Sequence, residues 1–407
     1  EGFLVDGNWK ILRGGTVQWF RIPKGEWRDR LRKFSAIFNT VDVYVPWNVV
    51  EPEPDQFDFS DLVEFLELCR EYGLYVYFRP GPYICNEMDG GGIPAWLVPH
   101  AGKKSTQPDG LVNFRTRDPD FLDHVRHYLS RLNQAVAPLQ VTRGGPIVLY
   151  AVENEYNWFE TFAGVDQLAW YEGGPERSVG QDIGTTEYLA ALRDFVHADG
   201  IDVPVTTCPG DSRISGMGDV YGIVPMPNFY LSGGTEKLAY DLITGMHDPG
   251  RYDGRFTAVP SGTTESERRP VRMVRTLFGG LDAYFAFNAA GMATPGRRNA
   301  LVLDNSGLIS MVDPSPERVL QAFVSPTVGY FHNVVDYYGP IGPDGTLREK
   351  YYRFRALHLF FESFEGLFAP LLHPLRGGDF PGADSRIRVN HPDVGAMEDG
   401  RRVHYGF

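Results

Sequence analysis

Asn154 and Glu155 close an apolar run, GGPIVLYAVENEY at residues 144–156, and they are the residue types that can break a glycosidic bond. Ile147 to Val152 read as a strand buried on both faces, as in a parallel sheet. A carboxylate directly past such a strand leaves the hydrophobic layer where the strand ends. In a (β/α)8 barrel that end of the sheet is where reacting groups collect. A Glu placed there can give a proton to a leaving oxygen, and an adjacent amide can hold a sugar hydroxyl. A Glu at a strand end also serves as a helix cap or an ion-pair partner, so Asn-Glu alone leaves the function open.

Two further segments narrow it: VDVYVPWNVVEPEPDQFDFS at 41–60 and FRPGPYICNEMDGGGIPAWL at 78–97. With GGPIVLYAVENEY they resemble the barrel of glycoside hydrolase family 35, whose best-known members are β-galactosidases. FLVDGNWKILRGGTVQWFRIPKGEWRDRL at 3–31 is similar to the start of that barrel, and VVDYYGPIGPDGTLREKYYRFRALH at 334–358 to its closing segment. The resemblance implies a retaining, exo-acting β-glycosidase with Glu155 as general acid/base and Asn154 on the sugar 2-hydroxyl. Burial near a second carboxylate would raise the pKa of such a Glu toward neutrality. The resemblance also places Tyr44, Ile84, Cys85, Asn86 and Glu87 at sugar-binding positions and sets Tyr337 against the nucleophile and sugar. Against this stand plainer roles: Tyr44 as a half-buried strand tyrosine, Glu87 in a loop salt bridge, and Trp47 and Trp96 as core rather than sugar platforms.

The nucleophile is where this chain departs from the family. The resemblance calls for a Glu closing the seventh strand, which Phe256 to Pro260 supply in GRFTAVPSGTTESERRP. A register anchored on Gly254 puts Pro260 where that Glu belongs, and the Gly-Trp pair that follows it in the family is missing. Glu265 and Glu267 come next. Ser266 can cap the following helix with Glu267 in its first turn, which gives Glu267 a structural reason. Glu265 is therefore the first choice of nucleophile, Glu267 the alternative, and a chain without a nucleophile the third outcome. Val50 stands where the family has His, and Asn157 follows ENEY in place of Gly.

Composition sets the outer bounds. A chain of 407 residues accommodates one large barrel, which takes about 250 residues or more. Net charge of −13 argues against a nucleic-acid partner or an anionic membrane surface, and no apolar run reaches the ~20 residues of a membrane span. Cys69, Cys85 and Cys208 are too few and scattered for a disulfide framework or a zinc site. His124 and His127 lack a metalloprotease context and read as an exposed helix face. No metal or cofactor is implied; the partner is a glycoside or oligosaccharide, and self-association into a homo-oligomer stays open. Localisation, cytoplasmic or secreted, is open as well.

The elements that would position these groups alternate in the manner of a parallel α/β domain. Strands are expected at Thr16–Ile22, Val41–Val45, Leu74–Phe78, Ile147–Val152, Val203–Val205 and Asp282–Asn288. Helices are expected from Ser60, as cap, to Gly73, over Asp118–Val136 and Thr186–Asp199, and from Glu349 to Phe364. Together these give a (β/α)8 TIM barrel over residues 1–371, followed by a C-terminal extension, 372–407, that begins a β-rich region. Residues 289–333 form a long Gly/Pro/Asn-rich connection. The reading is a β-galactosidase. A β-glucosaminidase on the same barrel, with Asp89 or Glu51 meeting the amine, is one alternative, and a non-catalytic carbohydrate-binding barrel without a nucleophile is another.

Overall fold

In the structure, a computed structural model, the described residues are 3–5, 7–84, 86, 89–97, 115, 117–156, 185–208, 220, 222–226, 283–286, 292–293, 334–335, 340–342 and 344–371. Seven strands form one sheet: β1 (Leu12–Thr16), β2 (Thr40–Tyr44), β3 (Tyr75–Arg79), β4 (Ile147–Ala151), β5 (Val205–Thr207), β6 (Val224–Pro225) and β7 (Ala283–Ala286). Their order is β6-β5-β4-β3-β2-β1-β7, and every pairing is parallel. Successive strands are neighbours, and the last one returns beside the first. That order is the signature of a (β/α)8 barrel. The segment 256–260, expected as a further strand, and the tail 372–407 lie outside the described residues.

Every residue of β1, β2 and β4 is buried. Parallel strands covered by barrel interior on one side and helices on the other need apolar residues at consecutive positions, which IVLYA supplies; in TVDVY buried Thr40 and Asp42 alternate with the apolar residues. The helices are α1 (Trp27–Phe34), the short α2 (Trp47–Val50), α3 (Ser60–Glu71), α4 (Pro119–Val136), α5 (Thr185–Ala198) and α6 (Glu349–Leu371). Helix α3 buries Leu62, Phe65, Leu66, Leu68 and Cys69. Helix α4 starts at Pro119 with Asp118 as its cap, the carboxylate accepting from the amides of Asp120 and Phe121 at 3.0 and 3.2 Å.

Two local expectations need correction. Strand β1 ends at Thr16 rather than beginning there, and Trp19–Arg21 form a 3-10 turn. The indole N–H of Trp27 takes the carbonyls of Trp19 and Ile22, both at 3.0 Å, so that stretch gives its acceptors to side chains instead of a ladder. The strand runs through Gly14-Gly15, poor strand formers that pair with Thr40, Val41, Phe285 and Ala286 on both sides. Ser60 is not the cap of α3. It is the helix's first residue, and the Asp58 carboxylate accepts from its amide at 2.9 Å and its hydroxyl at 2.6 Å.

Helix α6 ties the chain back to the N-terminal end of β1. Glu365 accepts from Lys10 Nζ and the Ile11 amide at 2.9 Å each, and from Arg13 at 3.3 Å. About two turns earlier, buried His358 faces Arg13 at 3.5 Å through Nδ1 and Glu362 at 3.2 Å through Nε2. Burial, then Arg13, lower its pKa to about 4, although Glu362 and Glu365 pull the other way. The unfolded chain, with an ordinary His near 6.5, binds the proton first. The stability due to neutral His358 is thus complete above about 6.5 and is lost as the pH falls toward 4. Denaturant unfolding at stepped pH should show that loss, and His358→Gln should remove this part of it; an unchanged pH dependence in the variant would dismiss the assignment.

Candidate active site

At the end of β4 the backbone makes a turn that few sequences adopt. Glu153 and Glu155 have φ of 65° and 45°, the left-handed region, at a cost of roughly 1–3 kcal/mol each for residues with a side chain. Bonds on every side hold them there. The amide of Glu153 donates to Gly81 O at 2.9 Å, that of Glu155 to Cys208 O at 2.6 Å, and that of Val152 to Thr206 O at 2.8 Å. The loops after β3, β4 and β5 are therefore stitched together at the C-terminal face of the sheet.

Buried Arg115 completes the clamp. Its Nε and Nη2 reach Glu153 Oε2 at 3.1 and 2.7 Å, and Nη2 also donates to Asn154 O at 2.9 Å. Tyr188 on α5 donates to Glu153 Oε1 at 2.7 Å, and Tyr156 to Arg115 O at 2.7 Å. The guanidinium lies 3.8 Å from the centroid of the Tyr83 ring. Gly91, eight residues on in the same connection, packs on that ring; its φ is +60°, and a Cβ there would come within 1.9 Å of Tyr83. The two acids of VENEY thus part ways. Glu153 is buried and fully engaged, whereas Glu155 is half-buried beyond the strand end.

A second buried cation, Arg79 at the last position of β3, joins β2 to the Asn-Glu turn. It donates to Asn154 Oδ1, stands 3.5 Å from Asp42 Oδ2, and lies over the Tyr44 ring with 4.3 Å to the centroid. Thr16 Oγ1 on β1 donates to the same Asp42 oxygen at 2.9 Å. Burial pushes the Asp42 carboxyl above its usual range, with the Arg79 guanidinium opposing. The Cys208 thiol, next to this cluster, is raised to about 11 by burial, against the pull of Arg79. Four strand ends therefore converge through Thr16, Asp42, Tyr44, Arg79 and Asn154.

The other sequence-selected residues divide. Ile84 is buried and its amide donates to Gly91 O at 2.8 Å. Asn86 is buried with φ of 55°, its Oδ1 accepting from Gln18 and its carbonyl from Arg21 at 3.1 Å. Cys85, Glu87, Tyr337, Glu265 and Glu267 lie outside the described residues. Trp47 is core: it stacks on Tyr128 at 4.5 Å, and its indole N–H donates to Glu51 at 2.5 Å. Trp96 is half-buried against it, and exposed His127 bonds Asp55 at 2.8 Å. Among the described residues no group of His, Cys, Asp and Glu is placed to hold a metal ion, and no helix is long and apolar enough to cross a membrane.

Sequence reasoning missed Arg79, Arg115 and Glu153. The signal for Arg79 was a charge at the final position of an otherwise apolar strand, YVYFR; the other two had none without their partners.

In (β/α)8 barrels the C-terminal face is where ligand-handling groups collect, and here that face carries the Asn-Glu turn and the buried cation cluster. Residues 2–174 match the family model Glycosyl hydrolases family 35. The chain is 42% identical over 161 residues to beta-galactosidase-1-like protein 3 of Rattus norvegicus, covering 39% of this chain and 24% of the relative. It is 45% identical over 158 residues to a beta-galactosidase of Xanthomonas manihotis, covering 38% and 25%. The matched stretch thus spans about a quarter of the length of these relatives. In fold, the chain resembles the crystal structure of beta-galactosidase from Bacillus circulans sp. alkalophilus, with a TM-score of 0.56, 12% identity, and coverage of 89% of this chain and 58% of that one. The fold is a (β/α)8 barrel.

Proposed function

We propose that the protein is a retaining, exo-acting β-glycosidase and that its substrate is a terminal β-linked galactose. The observation that carries this is the turn after β4, which holds half-buried Glu155 past the strand end beside Asn154, within the segment matched to family 35. In this mechanism a carboxylate attacks the anomeric carbon while Glu155 protonates the leaving oxygen. Glu155 then takes a proton from water, which displaces the enzyme carboxylate and releases the sugar. Asn154 and Tyr44 hold the sugar from β4 and β2, and Ile84, Cys85, Asn86, Glu87 and Tyr337 complete the binding set. The barrel unit is residues 1–371, with 372–407 as its extension. A panel of nitrophenyl β-glycosides tests the function: hydrolysis of the β-galactoside ahead of the others supports it, and hydrolysis of none leaves a sugar-binding barrel.

Retention needs a second carboxyl about 5–5.5 Å from that of Glu155, against roughly 6.5–9.5 Å for inversion. We assign Glu265 this role, with Glu267 as the alternative, since Pro260 has no carboxyl. A mechanism-based 2-fluorosugar should label Glu265, read by peptide mapping. A label on Glu267 selects the alternative, and hydrolysis with neither residue labelled rejects both.

A further inference from the structure

Helix α6 is apolar on two sides. Tyr351, Phe354, His358 and Phe361 are buried against the barrel, with Phe354 on Phe38 at 4.9 Å and the Tyr351 hydroxyl donating to Lys33 O at 3.0 Å. On the outer side stand Tyr352, Leu359, Phe360 and Phe364, each 40–55% exposed. Among the described residues, every large hydrophobic side chain so exposed is on this one helix. The exposed positions of α3 and α4 carry Glu64, Arg70, Glu71, Asp123, His127 and Arg131 instead. A contiguous apolar face of this kind marks a contact surface.

The pattern on the face says what fits it. Tyr352, Ala356, Leu359, Ser363 and Gly366 follow one another at intervals of four and three, all exposed, and form a seam about 21 Å long. The Ser363 hydroxyl already donates to Leu359 O at 2.8 Å, so covering it strands no donor. Arg355 and Glu362, seven residues apart and both exposed, lie along the same edge of the seam. Arg355 also bonds the Tyr351 hydroxyl, and Glu362 Oε1 stands 3.2 Å from His358 Nε2, yet each has further polar atoms for a second contact.

We propose that this face of α6 packs antiparallel on the same face of a second copy of the chain, making a weak homodimer. A twofold axis passing between positions 358 and 359 sets Arg355 of each copy against Glu362 of the other, giving two ion pairs on one edge. Parallel packing in register would set Arg355 against Phe360 of the other copy and leave both charges unmatched. One helix per copy makes a contact smaller than stable interfaces have, so the dissociation constant is on the order of micromolar or weaker.

Sedimentation equilibrium of the full chain over roughly 1–300 μM, the span a weak contact needs, should show the mass climbing from monomer toward dimer. Arg355→Glu and Glu362→Arg each set like charges across both pairs and should weaken the dimer about tenfold or more. Mixing the two variants rebuilds both pairs in a heterodimer, so the mixture should associate as the wild type does. Leu359→Lys puts two cations near the axis and should leave a monomer. A wild type that stays monomeric throughout overturns the proposal; a loss of stability in its Leu359→Lys variant would then assign the face to a segment of the same chain, such as 372–407. A dimer that ignores Arg355→Glu and Leu359→Lys uses another surface and overturns it too. Charge variants that stay apart on mixing reject the antiparallel pairing. Should Glu362→Arg fail to fold beside His358, Arg355→Glu and Leu359→Lys decide.

Discussion

Glu155→Gln should lower turnover of substrates with poor leaving groups by about 10²–10⁴-fold, the usual worth of general acid–base catalysis. Nitrophenyl glycosides carry a leaving group that departs with little protonation, so their first step should be nearly spared. Their second step still needs a base to take the proton from water, and the glycosyl-enzyme should accumulate. An added small anionic nucleophile such as azide, which needs no base, should restore turnover and yield a β-glycosyl azide. Equal loss for both substrate classes, with no rescue by azide, would remove Glu155 from the proton-transfer role. The prediction draws on the contrast within VENEY. Glu153 is buried with Arg115, Tyr188 and the Asn154 amide on its oxygens, while Glu155 remains half-buried at the strand end. Gln at 155 keeps size and leaves the left-handed turn to the same backbone bonds, so the stability of the variant should stay near that of the parent.

Much of this placement was legible in the sequence because it depends on local pattern. The run IVLYA marks β4 as a strand covered on both sides, and the first polar residues after it must emerge at its end. Asp118-Pro119 marks the start of α4 in the same local way. What could not be read depends on partners remote in the chain. Arg115 and Glu153 are 38 residues apart, and Arg79 and Asn154 are 75 apart, so neither buried cation shows its purpose in its own segment. The first strand was misplaced for a related reason. Its two central glycines are held by β2 and β7 on either side, while the more strand-like VQWFRI is drawn into a turn by the Trp27 indole.

The largest stability effect should come from Arg115→Met. Removing one partner of a buried ion pair leaves the other charge without compensation, at a cost of about 3–5 kcal/mol. Glu153 is that charge, and it lies under the turn that carries Asn154 and Glu155. The same substitution deletes the bond from Nη2 to Asn154 O and the stack on Tyr83, so two left-handed residues lose part of what holds them. Glu153→Gln should cost less, because its amide oxygen can take the Oε2 place and still accept from Arg115, while its NH2 donates to the Tyr188 hydroxyl. The double variant should be more stable than Arg115→Met alone, since no buried carboxylate then stands unpaired. Denaturant unfolding of the two single variants and the double one gives this coupling directly. Costs that simply add would mean the two side chains act separately, and Glu153 would lose its role as the anchor of the turn. Activity supplies the link to function: if the clamp sets the position of Glu155, the folded Arg115→Met protein should lose kcat on poor leaving groups more than on nitrophenyl glycosides. That is the pattern of Glu155→Gln in milder form, and a general loosening of the barrel would slow both substrates alike.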